Sequence, residues 1–324
     1  MCTAINLRMS NHYFGRNLDL EYHYNEAVVI MPSNYIFPFR HAVARNLNIP
    51  IIGMATVIDE TPLYYDATNL HGLSIAALNF PGNAKYYPLS EGLDNVAPFE
   101  FIPWILRQCT SVKEARKYLS RINITHTQFR TDIPVTPLHW IVSDAKESIV
   151  VESTATGILI YDNLIGVLTN NPPFPYHMDN LCNYSNLTKH LPNGDLEEKF
   201  KLKPYSNGMG GIGLPGDLSS ASRFVRAAFL LSNSACEDTE LSCVSQFFHI
   251  LDAVAHTRGS VVVNDKYEIT FYSSCCNTSK GIYYYKTYDN SQITGVCMHN
   301  EDLTATKLIC YPLRTEQDIF CVNH

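Results

Sequence analysis

The chain has 324 residues, a net charge of −7, 46% hydrophobic and 17% charged residues. These are the proportions of a folded globular protein, long enough for one large domain or two, and without a long Lys/Arg block they argue against a nucleic-acid-binding surface. No run is apolar for long enough to cross a bilayer, and residues 1–20 carry Asn6, Arg8, His12, Arg16 and Asp19 instead of an apolar signal core.

A cytoplasmic protein starting near residue 2 is therefore expected, and its ten cysteines are read as reduced thiols rather than a disulfide framework. The histidines are scattered without metal-ligand spacing, so no metal site is expected.

The second residue is Cys2. Removal of Met1 by an aminopeptidase, which accepts a small second residue, would leave a thiol and a free α-amine on one residue. A free thiol titrates near ~8.5 and an α-amine near ~8, so the amine can take the thiol proton at modest cost, the basis of N-terminal nucleophile catalysis. Residues 2–9, 13–21 and 26–31 read as consecutive antiparallel strands separated by turn signals. Arg16 and Asp19 on the second strand could return to Cys2, where a guanidinium lowers a thiol pKa and a carboxylate orients an ammonium. Taken alone, the two residues read more readily as an exposed ion pair.

Ile51–Ile58 is a β-branched run bounded by Pro50 and by Asp59-Glu60-Thr61-Pro62. Leu63–Asn69 and Leu73–Asn79 continue the sheet to a turn at Phe80-Pro81-Gly82-Asn83. Phe99–Cys109 and Val112–Ile122 carry apolar residues at helical spacing, with Ser111 as N-cap of the second. Strands return at Leu138–Ser143, Ser148–Ser153, Ile158–Asp162 and Ile165–Thr169, and 175–187 reads as a short helix. Residues 188–217 form a long polar loop, hence a functional segment or an interface arm. Two helices follow, Leu218–Leu231 with Asp217 or Ser219 near its N-cap, and Ser242–Ala255. A meander at 260–264, 267–274, 281–288, 292–298 and 306–311 closes the chain. Without strict βαβ alternation, the class is α+β, with layers of sheet and helix and no linker.

The opening Met1-Cys2-Thr3, with Phe14-Gly15-Arg16-Asn17-Leu18-Asp19 a dozen residues later, resembles the choloylglycine hydrolase family. Ala76-Ala77-Leu78-Asn79-Phe80-Pro81 is similar to the family's GLNFP segment, with Ala for the usual Gly. Leu168-Thr169-Asn170-Asn171-Pro172 is similar to its LTNxP segment, and the run from Gly213 to Phe224 (GLPGDLSSASRF) to its GLPGDxxSxSRF segment. Leu138-His139-Trp140 and Gly281-Ile282-Tyr283-Tyr284-Tyr285 extend the resemblance, which covers residues 2 to about 312 and leaves 314–324 as a tail.

The resemblance implies a four-layer αββα N-terminal nucleophile sandwich of two antiparallel sheets in a single domain over 2–324. It implies an amidase with Cys2 as nucleophile, Arg16 beside the sulfur and Asp19 on the α-ammonium of Cys2. Asn171 gives its side-chain amide to the oxyanion, and Asn79 contributes at the same hole. Arg223 lies early in its helix, where the dipole disfavours a cation, so it is expected to serve the thiolate or the carboxylate cluster. Arg226 is read as a packing residue, and Asn17 and Thr169 as structural. Without the family, either Asn reads more simply as part of an Asx-turn.

Members of the family are conjugated bile salt hydrolases and penicillin V acylases, and neither chemistry requires a cofactor. Asn79 resembles the bile salt hydrolase state, since penicillin V acylases often carry Tyr there. Conjugated bile acids, amides of glycine or taurine, are thus the expected substrates, with Leu18, Ile58, Tyr65, Ile133 and Leu138 as candidate lining. Penicillin V, other N-acyl amides or acyl-lactones are the alternatives, and a silent scaffold follows if Met1 is retained. The loop 188–212 resembles the arm that clasps a neighbour in family tetramers, so a homotetramer is expected.

Overall fold

The structure, a computed structural model, describes residues 1–41, 48–192, 195–197 and 200–323. Among the described residues fourteen strands build two fully antiparallel sheets. In chain order they are β1 (Cys2–Arg8), β2 (His12–Leu20), β3 (Ala27–Met31), β4 (Ile51–Ile58), β5 (Thr61–Asn69), β6 (Ser74–Asn79), β7 (Leu138–Ser143), β8 (Ser148–Thr154), β9 (Gly157–Asp162), β10 (Val167–Leu168), β11 (Ile269–Asn277), β12 (Ile282–Thr287), β13 (Thr294–Cys297) and β14 (Ile309–Pro312). The six-stranded sheet runs β10-β1-β2-β11-β12-β13, and the eight-stranded sheet β9-β8-β7-β6-β5-β4-β3-β14.

The facing sides of the two sheets meet in one apolar cluster, which includes Ala4, Phe14 and Leu18 from the first sheet and Ile30, Met54, Ala76, Leu78 and Ile141 from the second. Helices cover both outer faces. α1 (Phe101–Leu106) and α2 (Val112–Leu119) pack on the eight-stranded sheet, while α3 (Phe174–Leu181), α4 (Ser220–Ser232) and α5 (Glu240–Asp252) lie against the six-stranded one. The four-layer αββα order is therefore the one the resemblance implies.

Local chemistry explains the element ends. Ser111 accepts from the Glu114 backbone N–H as N-cap of α2, and Thr239 does the same for Ser242 at α5. Ser219, rather than Asp217, is the N-cap of α4 and accepts from Ser222 N. Asp217 braces the turn from outside, accepting from Ser219 N and Ser222 Oγ, and these bonds hold its carboxyl down at about 2.

Three expectations are corrected. β3 does not extend the β1–β2 hairpin but crosses to the other sheet, where it pairs with β4. The closing meander holds only for β11–β12–β13, because β14 also crosses and pairs with β3. Ile122 ends no helix; Ile122–Ile124 is a short strand parallel to Asp94–Val96. In each case the apolar run has the right period and its partner is set by distant chain, which periodicity does not encode. Within the expected loop 188–217, Asp195–Glu197 pairs with Phe200–Lys201 as a small hairpin, and 193–194 and 198–199 lie outside the described residues.

A buried carboxylate ties the sheets together. Asp66 on β5 accepts from the Tyr272 hydroxyl (2.7 Å), the Tyr283 hydroxyl (2.6 Å) and Ser274 Oγ (3.2 Å), all from the six-stranded sheet. Burial pushes its carboxyl up, against the nearby Arg16 charge and the three hydrogen bonds. Removing the acceptor leaves three hydroxyls without it, each costing on the order of 1 kcal/mol or more. Asp66→Ala is expected to lower unfolding stability by about 3 kcal/mol and Tyr272→Phe by about 1.5 kcal/mol, read as shifts of the urea midpoint at unchanged slope.

Candidate active site

The register of the first hairpin sets the site. Cys2 pairs with Leu18, Thr3 with Asn17 and Ala4 with Arg16. Because side chains alternate across a strand, Cys2, Arg16 and Leu18 face the opposite sheet, and Thr3, Asn17 and Asp19 face the outer helices. Cys2 is 3% exposed.

Arg16 is fully buried between the sheets. Its Nη1 donates to the carbonyl of Tyr65 (3.1 Å) and to that of Ala77 on β6, and its Nε to its neighbour Asn17 O. Nη2 has no hydrogen bond among the described residues. Burial alone would lower the guanidinium pKa, but Cys2, Tyr272, Asp66 and Asp19, in that order, hold it above its ordinary value. Arg16 is thus a permanent cation beside the thiol.

Arg223 approaches from the other face, on the first turn of α4. Its Nη1 donates to the Cys2 carbonyl (2.5 Å) and Thr3 Oγ1 (2.6 Å), its Nη2 to Asn170 Oδ1 (2.8 Å) and its Nε to Leu218 O (2.9 Å). Burial lowers its pKa, partly offset by Asp19, Cys2 and Glu268. It therefore meets the main chain of Cys2 and the charge of the acidic cluster, which accounts for a cation placed against the helix dipole. Arg226 caps Pro215, Asp217 and Ala253 carbonyls, a packing role as expected.

The asparagine beside Cys2 is Asn170, where Asn171 is expected. Asn170 Oδ1 accepts from the Cys2 nitrogen (2.8 Å), and its Nδ2 donates to the Asn79 carbonyl (2.7 Å). Asn171 turns away: its Nδ2 donates to Pro81 O and its Oδ1 accepts from Asn83 Nδ2, each at 2.7 Å. The two residues are adjacent in an Asn-Asn pair, and successive side chains leave an extended segment on opposite sides. The segment is held from behind. Asn170 N donates to Ser220 Oγ, while His139 Nε2 lies 2.9 Å from the Thr169 carbonyl and His177 Nε2 3.0 Å from the Asn170 carbonyl. Thr169 Oγ1 bonds to Ser220, and Asn17 to the Leu251 carbonyl and Ser273, so both serve as structural ties.

Asn79 closes β6 opposite Leu138 of β7, at the sheet end that Asn170 reaches. Of the candidate lining, Leu18 pairs with Cys2, Leu138 with Asn79, and Tyr65 supplies a carbonyl to Arg16 while its hydroxyl meets Thr56 Oγ1 at 2.9 Å. Ile58 ends β4 at its hairpin with β5, and Ile133 sits in a loop bridged to Arg130; both are half-buried.

Asp19 departs from its expected partner. The terminal ammonium belongs to Met1 and donates to the Asp19 main-chain carbonyl (2.6 Å) and to Glu268 Oε2 (2.7 Å). The Asp19 carboxylate accepts from Thr270 Oγ1 (2.6 Å) and lies 3.8 Å from His256 Nε2. With Met1 in place the amine is displaced by one residue from Cys2, which is why the expected pair is not formed. Sequence reasoning missed Glu268 and His256 altogether, because neither stands in a motif or at a telling spacing.

Among the described residues no group of His, Cys, Asp and Glu is arranged to hold a metal ion, and no helix is long and apolar enough to cross a membrane. What the arrangement can do chemically is hold a thiol between two buried cations, with the Asn170 amide beside it and Asn79 at the end of the facing sheet.

Known proteins share this frame. A bile salt hydrolase/transferase of Lactiplantibacillus plantarum is 51% identical over 324 residues, the full length of both chains. One from Clostridium perfringens is 38% identical, again over the full length of both. The crystal structure of a conjugated bile acid hydrolase variant from Clostridium perfringens superposes with a TM-score of 0.92 at 37% identity, covering 100% of each chain. A penicillin V acylase from Agrobacterium tumefaciens, at 16% identity, TM-score 0.75 and 96% and 90% coverage, shares the fold. Residues 2–311 match the linear amide C-N hydrolases, choloylglycine hydrolase family, and this chain belongs to that family.

Proposed function

We propose that this protein cleaves the amide bond between a bile acid and glycine or taurine, with Cys2 as the nucleophile. The observation that carries the reading is the full-length 51% identity to a bile salt hydrolase/transferase in a chain whose Cys2 lies between Arg16 and Arg223.

Loss of Met1 frees the Cys2 α-amine. The amine takes the thiol proton, and the sulfur attacks the amide carbonyl. The oxyanion forms at the end of β6, where Asn79 and Asn170 supply donors; one preorganised donor is typically worth about 3 kcal/mol. Arg16, with an uncommitted Nη2, stands beside the sulfur. The ammonium returns its proton to the leaving nitrogen as the C–N bond breaks, leaving a thioester on Cys2. Water, deprotonated by the same amine, attacks the thioester and releases the bile acid and the thiol. Leu18, Ile58, Tyr65, Ile133 and Leu138 are proposed to line the acyl side.

The relatives' names, hydrolase/transferase, favour a second outcome at the same intermediate: an amine in place of water would capture the acyl group. Penicillin V is the alternative acyl donor. The protein is further proposed to be cytoplasmic, in keeping with ten free thiols, and a homotetramer joined through the arm at 188–212.

Intact mass and amine release test the reading together. Purified protein should lack Met1 and release glycine from glycocholate or taurine from taurocholate, by ninhydrin detection. A processed protein that releases neither, yet hydrolyses penicillin V, would move the substrate and keep the chemistry. Cys2→Ser should lower kcat by at least about 10³-fold. Asn170→Ala should lower kcat by roughly 10²- to 10³-fold and Asn171→Ala by less than about 10-fold; the reverse order would return the oxyanion role to Asn171.

A further inference from the structure

Behind the N-terminus lies a buried cluster that the proposed chemistry does not use. Glu268 is 3% exposed and His256 0%. His256 Nδ1 stands 2.9 Å from Glu268 Oε1, and its Nε2 is 3.8 Å from Asp19 Oδ2, so the ring sits between two carboxylates, with neither ring nitrogen in a well-aligned hydrogen bond among the described residues. Thr270 locks the arrangement: its Oγ1 accepts from His256 N (2.8 Å) and donates to Asp19 Oδ1 (2.6 Å), and its own N–H donates to the His256 carbonyl (3.1 Å). The other Glu268 oxygen, Oε2, holds the Met1 ammonium at 2.7 Å.

The groups that face this cluster are few. Asp19 comes from β2, Arg223 from α4, Cys2 from β1 and the terminal ammonium from Met1 just ahead of it; Arg16 acts on Asp19 across the sheet, and Arg226 acts on Arg223. Burial alone would raise the Glu268 carboxyl, but His256 and the terminal ammonium hold it below its usual range. Glu268 is therefore an anion at neutral pH, and the nitrogen of Cys2 lies one residue, about 3.5 Å of chain, from the nitrogen it now binds.

Building on the reading of Cys2 as an N-terminal nucleophile, we propose that Glu268, flanked by His256, is a positioning residue for the Cys2 α-amine, acting beside Asp19 as a second carboxylate that fixes the amine and its proton. The amine must accept the thiol proton and later deliver it, and a buried anion within reach stabilises the ammonium between the two steps. The thiol and amine titrate as a pair, in two macroscopic steps. A neighbouring negative charge raises both, so removing it lowers both.

The test uses Met1-processed protein, verified by intact mass. N-terminal labelling by an amine-reactive reagent is followed against pH in wild type, Glu268→Gln and Glu268→Asp, and the bell-shaped kcat/KM profile for glycocholate is measured alongside. Glu268→Gln is expected to move the labelling midpoint and both limbs of the bell to lower pH by about 0.5 to 1 unit, with KM little changed. Glu268→Asp, which keeps the charge, should stay near wild type. Should Glu268→Gln not fold, Glu268→Met removes the same charge and takes its place. A labelling midpoint within about 0.2 unit of wild type in the uncharged variant would overturn the role, leaving Glu268 a support of the fold. Failure of the underlying reading shows separately, as a processed wild type that turns over no amide; the labelling result then still decides what Glu268 does to the amine.

Discussion

Two guanidinium groups are wholly buried on opposite faces of the strand that begins at Cys2, and the site depends on the fold satisfying both. An unpaired buried charge is costly enough to unfold a domain, so each cation must find carbonyls, carboxylates or a thiolate in place of water. Arg16 finds the Ala77 and Tyr65 carbonyls of the facing sheet and the Asp66 charge; Arg223 finds the Cys2 carbonyl, Thr3 and Asn170. The partners that make burial tolerable are the groups around the nucleophile. Stability and chemistry therefore select the same geometry, and a loss of either arginine would be felt in both.

The same economy explains where α4 begins. Ser219 Oγ caps the Ser222 N–H, and the Asp217 carboxylate accepts from Ser219 N and Ser222 Oγ, so an anion already faces the positive end of the helix while Arg223 is turned to partners elsewhere. The helix start is thereby fixed within a residue, and Arg223 with it. Ser220, one residue past the cap, reaches Asn170 N and Thr169 Oγ1, coupling helix start and asparagine loop to the same point.

Much of this is legible in the amino-acid sequence. The strands from β4 to β8 and both long helices follow from alternation, helical spacing and cap residues, and Cys2 with Arg16 and Arg223 stands out from its motifs. The rest depends on long-range pairing. Nothing in Ala27–Met31 distinguishes a third strand of the hairpin from a strand of the other sheet, because both present the same apolar run. Asn170 and Asn171 are one residue apart, and only the phase of the extended segment decides which side chain meets Cys2. Glu268 and His256 are brought to the N-terminus by the 253–270 stretch folding over β2, a placement with no local signal.

Cys2 and Asn79, on the proposed oxyanion side, belong to different sheets, so their spacing is a property of how the sheets pack. Cys2 starts the six-stranded sheet and Asn79 ends β6 of the eight-stranded one. Two ties cross the gap at alternate carbonyls of β6: Arg16 holds Ala77 O, and Asn170 holds Asn79 O while its other end accepts from Cys2 N. The Asp66 hydroxyl cluster pins the sheets again further along. Because a packed interior yields little and a misplacement of about 1 Å can cost 10²-fold in rate, these ties set the approach of sulfur to carbonyl. A change deep between the sheets, far from any substrate, would then act on rate through that spacing, whereas a change in the lining would act first on which acyl group is accepted.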